Sequence, residues 1–153
     1  MGTHLWMHIF DDNGDAKTSE SVDQLLALAT ETKMSVLLPY SVKAEIEHPK
    51  TPQSVKHRAS CLIYTMPVTL TPNEESTHRL VRALMRGNAT SGKHDADAFH
   101  LVEASKYGRF FVSLDNRVLK KKLEIQCLLP GLWIVTPIEL IKLYHDYVAQ
   151  FQA

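Results

Sequence analysis

The sequence predicts an α/β protein built on a parallel sheet covered on both faces. Two observations carry this. Continuous apolar runs of strand length, MSVLL at 34–38 and FFVSL at 110–114, suit strands buried on both sides. Between such runs lie longer stretches with the apolar spacing of amphipathic helices, separated by proline, glycine and other turn residues. Strands alternating with helices in this way indicate parallel pairing through helical crossovers.

Taken in order, Leu5 to Phe10 reads as a first strand, and DDNGD after it is turn chemistry. Thr18 or Ser19 is expected to cap a helix whose inner face is Val22, Leu25, Leu26, Leu28 and Ala29. Met34 to Leu38 is the second strand. Pro39 ends it, and Ser41 begins a helix carrying Glu45. Pro49 and Pro52 bracket a break. Gln53 to Thr65 reads as a helix with Val55, Ala59, Leu62 and Ile63 inward, and Pro67 to Leu70 as a brief extended piece. From Pro72 to Gly87, the spacing of Leu80, Val81, Leu84 and Met85 predicts a helix with proline in its first turn and glycine at its C-cap. GNATSGKH is a loop. Asp95 to Tyr107 is a helix closed by Gly108, Phe110 to Leu114 a buried strand, and Asn116 to Glu124 a helix. Leu132 to Val135 is a last strand, and Pro137 to about Phe151 a last helix with Ile138, Leu140, Ile141, Leu143 and Tyr144. No linker divides the chain, so residues 1–153 are expected to form a single domain.

Composition narrows the function classes. Seventeen Lys plus Arg balance seventeen Asp plus Glu, which argues against a strongly basic protein that coats nucleic acid. No apolar run reaches membrane-spanning length, and no secretory leader is recognisable, so a soluble cytoplasmic protein without a membrane partner is expected. Cys61 and Cys127 lack CxxC spacing and are read as reduced thiols in or near the core. A generic dinucleotide binder is disfavoured because no glycine-rich loop follows the first strand.

Three carboxylates fall where active sites gather, beyond the carboxyl ends of the strands. Asp115 directly follows a strand and is also well suited to cap the next helix. Asp97 lies in the first turns of its helix, on the side of Leu101; an acid beside an apolar stripe calls for a partner, although a helix N-terminus also favours it there. Glu45 and Glu47 are two apart, so one faces inward and one outward. Oxygen ligands without a transition-metal pattern of Cys and His suit Mg²⁺ or Mn²⁺. A zinc set of His94, Asp97 and His100 is set aside, because residues at i and i+6 diverge around a helix of 3.6 residues per turn. Lys120, Lys121 and Lys122, with Arg117 and Lys93, are candidates for RNA contact, and equally for a solvated helix face.

The pieces AEIEHPKTP (44–52), GKHDADAFHLVEASKYG (92–108), FFVSLDNRVLKK (110–121) and IVTPIEL (134–140) occur in an order that resembles the PIN-domain ribonucleases, in particular bacterial PIN-like proteins with an EIEHPxTP segment. The resemblance implies a three-layer α/β/α sandwich with a central, mostly parallel sheet of four or five strands. It implies a metal-dependent endoribonuclease holding Mg²⁺ or Mn²⁺ with Glu45, Asp97 and Asp115, and with Ser113 and Asn116 as hydrogen-bonding supports. It also implies an RNA substrate, pairing as a homodimer and an antitoxin-like protein partner.

The chain departs from the family in its first strand. LWMHIFDD (5–12) aligns with a family-like LDTNIFDD, which puts Trp6 at the position of the first acid, Met7 at the Thr and His8 at the Asn. Residues 1–8 are therefore atypical. Three readings stay open: residues before Ile9 replace the family's strand end, the chain is a non-cutting member that binds RNA or protein, or Asp11, Asp12 or His8 substitutes as a ligand. With one acid fewer, cation affinity is expected to fall about tenfold or more.

Overall fold

Parallel pairing runs through the whole sheet. The computed structural model describes residues 4–7, 16–32, 34–88, 92 and 94–151, with side chains described from residue 20 onward. Strands β1 (His4–Met7), β2 (Ser35–Leu38), β3 (Ile63–Tyr64), β4 (Phe110–Val112) and β5 (Trp133–Val135) form a five-stranded sheet of order β3-β2-β1-β4-β5. Each neighbouring pair is parallel; Trp6 stands opposite Leu37 on one side and Phe111 on the other. The helices are α1 (Ala16–Glu31), α2 (Lys43–Glu47), α3 (Gln53–Ser60), α4 (Pro72–Arg86), α5 (Asp95–Tyr107), α6 (Asn116–Lys120), α7 (Lys122–Leu128) and α8 (Pro137–Gln150), with a 3-10 turn at Tyr40–Val42. The protein is mixed α/β, mostly helical with short parallel strands. Expectations for Ile9, Phe10, the DDNGD turn and Lys93 fall outside the described residues, as does the side chain of Trp6.

Strand alternation splits the core into two clusters. Val112 and Val135 pack with Val22 and Leu25 of α1, Ile46 of α2, Val55 of α3 and Leu140 of α8. Their neighbours Phe111 and Ile134 pack with Val81 of α4, Leu101 of α5, Val118 of α6 and Ile125 of α7. Adjacent residues of a strand point to opposite faces, so apolar side chains cover both sides of β4 and β5.

Local chemistry sets several helix ends. Thr71 accepts from the Glu74 N–H while the Glu74 side chain accepts from the Thr71 N–H, with Pro72 opening α4. The same box, Thr136 with Glu139, starts α8. Gly87 ends α4 at a φ of 51°, where a side chain would be strained, and an added Cβ would lie 3.2 Å from the Lys121 ammonium.

Other boundaries differ from expectation. Helix α1 begins at Ala16, so Thr18 and Ser19 lie within it rather than capping it. Helix α3 stops at Ser60, and Ile63–Tyr64 becomes an edge strand beside Leu37 and Leu38, while Pro67 to Leu70 forms no strand. Ile63, expected inward, is 72% exposed. Asn116 to Glu124 is broken at Lys121, which has left helical geometry (φ −104°, ψ 14°) and separates α6 from α7. Leu80, Ile138 and Leu143 are exposed, as are both cysteines, which are free thiols. Among the described residues, no helix is long and apolar enough to cross a membrane.

The sheet order fixes where a site can form. From central β1 the chain runs to β2 and β3 on one side, then returns to β4 and β5 on the other. The order reverses between β1 and β4, and in parallel α/β sheets ligands gather beyond the carboxyl ends of the strands at such a reversal.

Candidate metal centre

Each sequence-selected acid reaches that edge by a different route. After β2, Pro39 and the 3-10 turn lead into α2, which carries Glu45 in its first turn. Thr51 Oγ1 donates to the Glu45 carbonyl, tying the following turn back to α2. Glu47, one step over, faces solvent near Lys43. Asp97 stands in the first turn of α5, and Asp115 immediately follows β4.

Asp115 has two placements at once. Its Oδ1 accepts from the Arg117 N–H at 2.9 Å and so caps α6. Arg117 also grips both of its oxygens, Nε to Oδ1 at 3.3 Å and Nη2 to Oδ2 at 3.2 Å. Ser113, buried in the turn, accepts from the Asp115 N–H at 3.0 Å and fixes the backbone that presents the acid. Asn116 is exposed at the first position of α6.

Asp97 is the electrostatic centre of the group. Its side chain is 16% exposed, with Arg117 Nη2 at 3.6 Å and His94 Nδ1 at 3.9 Å from Oδ2. Burial pushes its carboxyl above the usual range, and the negative charges of Asp115 and Glu45 push the same way, against the opposing effect of His100 and Arg117. Asp97 is therefore close enough to both Asp115 and Glu45 to feel their charge.

His100, considered from sequence only in the discarded zinc set, joins two of the acids here. One donor atom each from Glu45, Asp97 and His100 lie within 4.8 Å of one another. The His100 ring is almost wholly buried, with Nε2 3.2 Å from Glu45 Oε1 and Nδ1 2.6 Å from Ser41 Oγ. The sequence signal was present: His100 is three residues beyond Asp97, so the two share a helix face. His94 Nδ1 lies 2.7 Å from Arg117 Nη1 and 3.9 Å from Asp97 Oδ2. Behind His100 lies a residue that sequence reasoning missed, Glu103, which is 1% exposed. It accepts from the Ser41 N–H at 3.2 Å, from the Ser41 hydroxyl, and from Thr65 Oγ1 at 3.4 Å.

Among the described residues, several of the basic side chains are committed to separate partners. Arg117 is joined to both acids, and Lys122 lies 3.7 Å from Glu139. The Lys121 ammonium donates to the Leu84 carbonyl at the end of α4. Lys120 is exposed on α6. Phe99 packs edge-on against His78, and the Tyr107 hydroxyl donates to the Met66 carbonyl.

Two carboxylates and an imbedded imidazole within 4.8 Å make a donor set that one divalent cation can bridge, since each metal–ligand bond spans about 2.0–2.6 Å. The residues fit such an ion chemically: hard oxygen donors, and an acid whose charge is disfavoured until a cation joins it. No family model, curated protein or solved structure matches the chain.

Proposed function

We propose that the chain is a PIN-like metal-dependent endoribonuclease with a three-layer α/β/α fold, whose site is weakened because Trp6 stands where the first acid is expected. The observation that carries this reading is the meeting of Glu45 and Asp97, with Asp115 beside them, at the β1/β4 reversal of strand order. Supporting it, β1 brings the backbone of Trp6 between Leu37 and Phe111 in the middle of the same sheet, one strand from the turn that presents Asp115.

In this reading Glu45 and Asp97 bind Mg²⁺ or Mn²⁺ and orient water, and Asp115 completes the acidic set. When bound, the cation supplies a water of lowered pKa and positive charge against the phosphate oxygens. Ser113 holds the Asp115 backbone. Arg117, 44% exposed, offers a planar set of donors to a phosphodiester reaching the acids. Lys120 extends that positive edge, with Lys93 as a further candidate. RNA is the substrate, the location is the cytoplasm, and a homodimer and an antitoxin-like protein are the partners proposed by resemblance.

The competing reading is a non-catalytic module that holds RNA or a protein. Trp6 favours it, and so does the Arg117 guanidinium, which already spans Asp97 and Asp115 as a resident cation. A cleavage assay on single-stranded RNA, run with Mn²⁺, Mg²⁺ or chelator, separates the two. The nuclease reading expects Trp6→Asp to cleave in Mn²⁺ and to lose cleavage when Asp97→Asn is added. RNA binding without cleavage in any of these forms would establish the module instead.

A further inference from the structure

We propose that His100 is a nitrogen ligand of this cation site, oriented by a Glu103–Ser41 relay, and that it biases the site toward first-row transition-metal dications over Mg²⁺. The inference rests on the reading that the site takes a cation; it adds which residue sets the ion's identity.

The argument is a count of protons. Three donors converge on the Glu103 carboxyl: the Ser41 N–H, the Ser41 hydroxyl and the Thr65 hydroxyl. A carboxylate is acceptor-only and suits that role. The same Thr65 oxygen accepts from the Tyr40 N–H at 3.0 Å, which leaves its own proton for Glu103. A serine hydroxyl has one proton, and Ser41 spends it on Glu103. Its oxygen is then an acceptor, so the contact of 2.6 Å to His100 Nδ1 requires Nδ1 to carry the hydrogen. A neutral imidazole with its proton on Nδ1 has its lone pair on Nε2. That lone pair faces Glu45 Oε1 at 3.2 Å, within the group that includes Asp97. In that neutral form Nε2, Glu45 and Asp97 each offer a donor atom within 4.8 Å of the others, a set that one cation could join in place of a proton.

This is the usual way a protein prepares a histidine for metal: the remote ring nitrogen donates outward, which fixes both tautomer and ring plane. Here the outward partner is a hydroxyl whose own proton is committed to a buried carboxylate. Ser41 and Glu103 are thus positioning residues, and His100 the ligand. Imidazole nitrogen favours transition-metal ions, whereas Mg²⁺ prefers oxygen donors and retained water.

The test uses the full chain and Mn²⁺ as the probe. Bound Mn²⁺ is measured by the loss of its free-ion electron paramagnetic resonance signal, and nitrogen coordination by electron spin echo modulation from ¹⁴N. The wild-type chain is expected to bind Mn²⁺ with ¹⁴N coupling. His100→Gln is expected to abolish the coupling and weaken Mn²⁺ binding about tenfold or more, while Mg²⁺ competition changes far less. Ser41→Ala leaves the ligand in place but unlocks its tautomer, and is expected to weaken Mn²⁺ binding by about tenfold. Circular dichroism melts establish that each variant is folded; should His100→Gln not fold, Ser41→Ala and the wild-type ¹⁴N signal decide the matter. Mn²⁺ bound without ¹⁴N coupling, or with coupling that survives His100→Gln, overturns the role of His100 and leaves the acidic site standing. Absence of Mn²⁺ binding in both wild type and Trp6→Asp overturns the cation site itself.

Discussion

Arg117 grips Asp115 side-on, with Nε 3.3 Å from Oδ1 and Nη2 3.2 Å from Oδ2. The same Nη2 lies 3.6 Å from Asp97, so one guanidinium faces two of the three acids singled out from the sequence. A cation entering beside Asp97 competes with that charge. Arg117→Gln is therefore expected to tighten Mn²⁺ binding several-fold, measured by calorimetry at low ionic strength. The gain should shrink in high salt, because the arginine is substantially exposed and its charge is screened. Weaker Mn²⁺ binding in the variant would mean that Arg117 organises the acids rather than competing for them.

Asp97 carries a stability signature. Its carboxyl is raised by burial and then by Asp115, so the folded state holds that proton to higher pH than the unfolded chain does. Below the unfolded value, both states are protonated and the residue costs nothing. As pH rises through the window between the unfolded and folded values, stability is lost, and the loss persists at neutrality. Without divalent cation, Asp97→Asn is expected to raise the melting temperature at pH 7, by about 2–4 °C for each kcal/mol recovered, and to have little effect at acid pH. Added Mn²⁺ should narrow the difference by stabilising only the chain that retains the acid. An Asn variant that melts lower at pH 7 would show that the carboxylate is held by its cationic neighbours after all.

Much of the fold was written in local chemistry. Pro72 and Gly87, or Thr136 with Pro137 and Glu139, mark helix ends through backbone groups a few residues away, so their positions could be read directly. The edge strand β3 could not, because Ile63 and Tyr64 continue the apolar spacing of α3 and become a strand only by pairing with Leu37 and Leu38. The site divides in the same way. Asp115 follows a strand and Asp97 opens a helix, and those are positions that sequence reveals. His100 and Glu103 instead acquire their roles from Ser41, 59 and 62 residues distant, and no spacing rule on α5 alone supplies that partner. The silence of Trp6 is of another kind: its backbone register is known, and the resemblance gives it meaning only as a substitution.

Glu74 links a helix start to α5. Its carboxyl is lowered to about 2, first by the Lys106 ammonium at 2.8 Å and then by the Thr71 N–H. A lowered acid contributes stability above its unfolded value and loses it as pH falls toward the folded one. Glu74→Gln keeps an acceptor for the Thr71 N–H but removes the charge facing Lys106, and is expected to lower the melting temperature at pH 7 by about 2 °C or less. The deficit should close between about pH 4.5 and about pH 2. A deficit unchanged across that range would assign the effect to the capping geometry alone.

Lys120 and Lys121 are adjacent yet should fail differently. Lys120 is exposed on α6, while the Lys121 ammonium donates to the Leu84 carbonyl at the C-terminal end of α4, beside Gly87. That carbonyl is among the last of its helix, where a cation also meets the negative end of the dipole. Lys121→Ala is expected to lower the melting temperature by about 2–4 °C, with little change in affinity for single-stranded RNA. Lys120→Ala is expected to leave the melting temperature unchanged, to weaken RNA binding, and to reduce the slope of log affinity against log salt by about 0.7, the value for one phosphate contact on a single strand. Filter binding across a salt series, run beside thermal melts, reads both. If the two variants exchange these behaviours, α6 does not face RNA in the way the Arg117 edge requires, and the positive approach to the acids must come from another element.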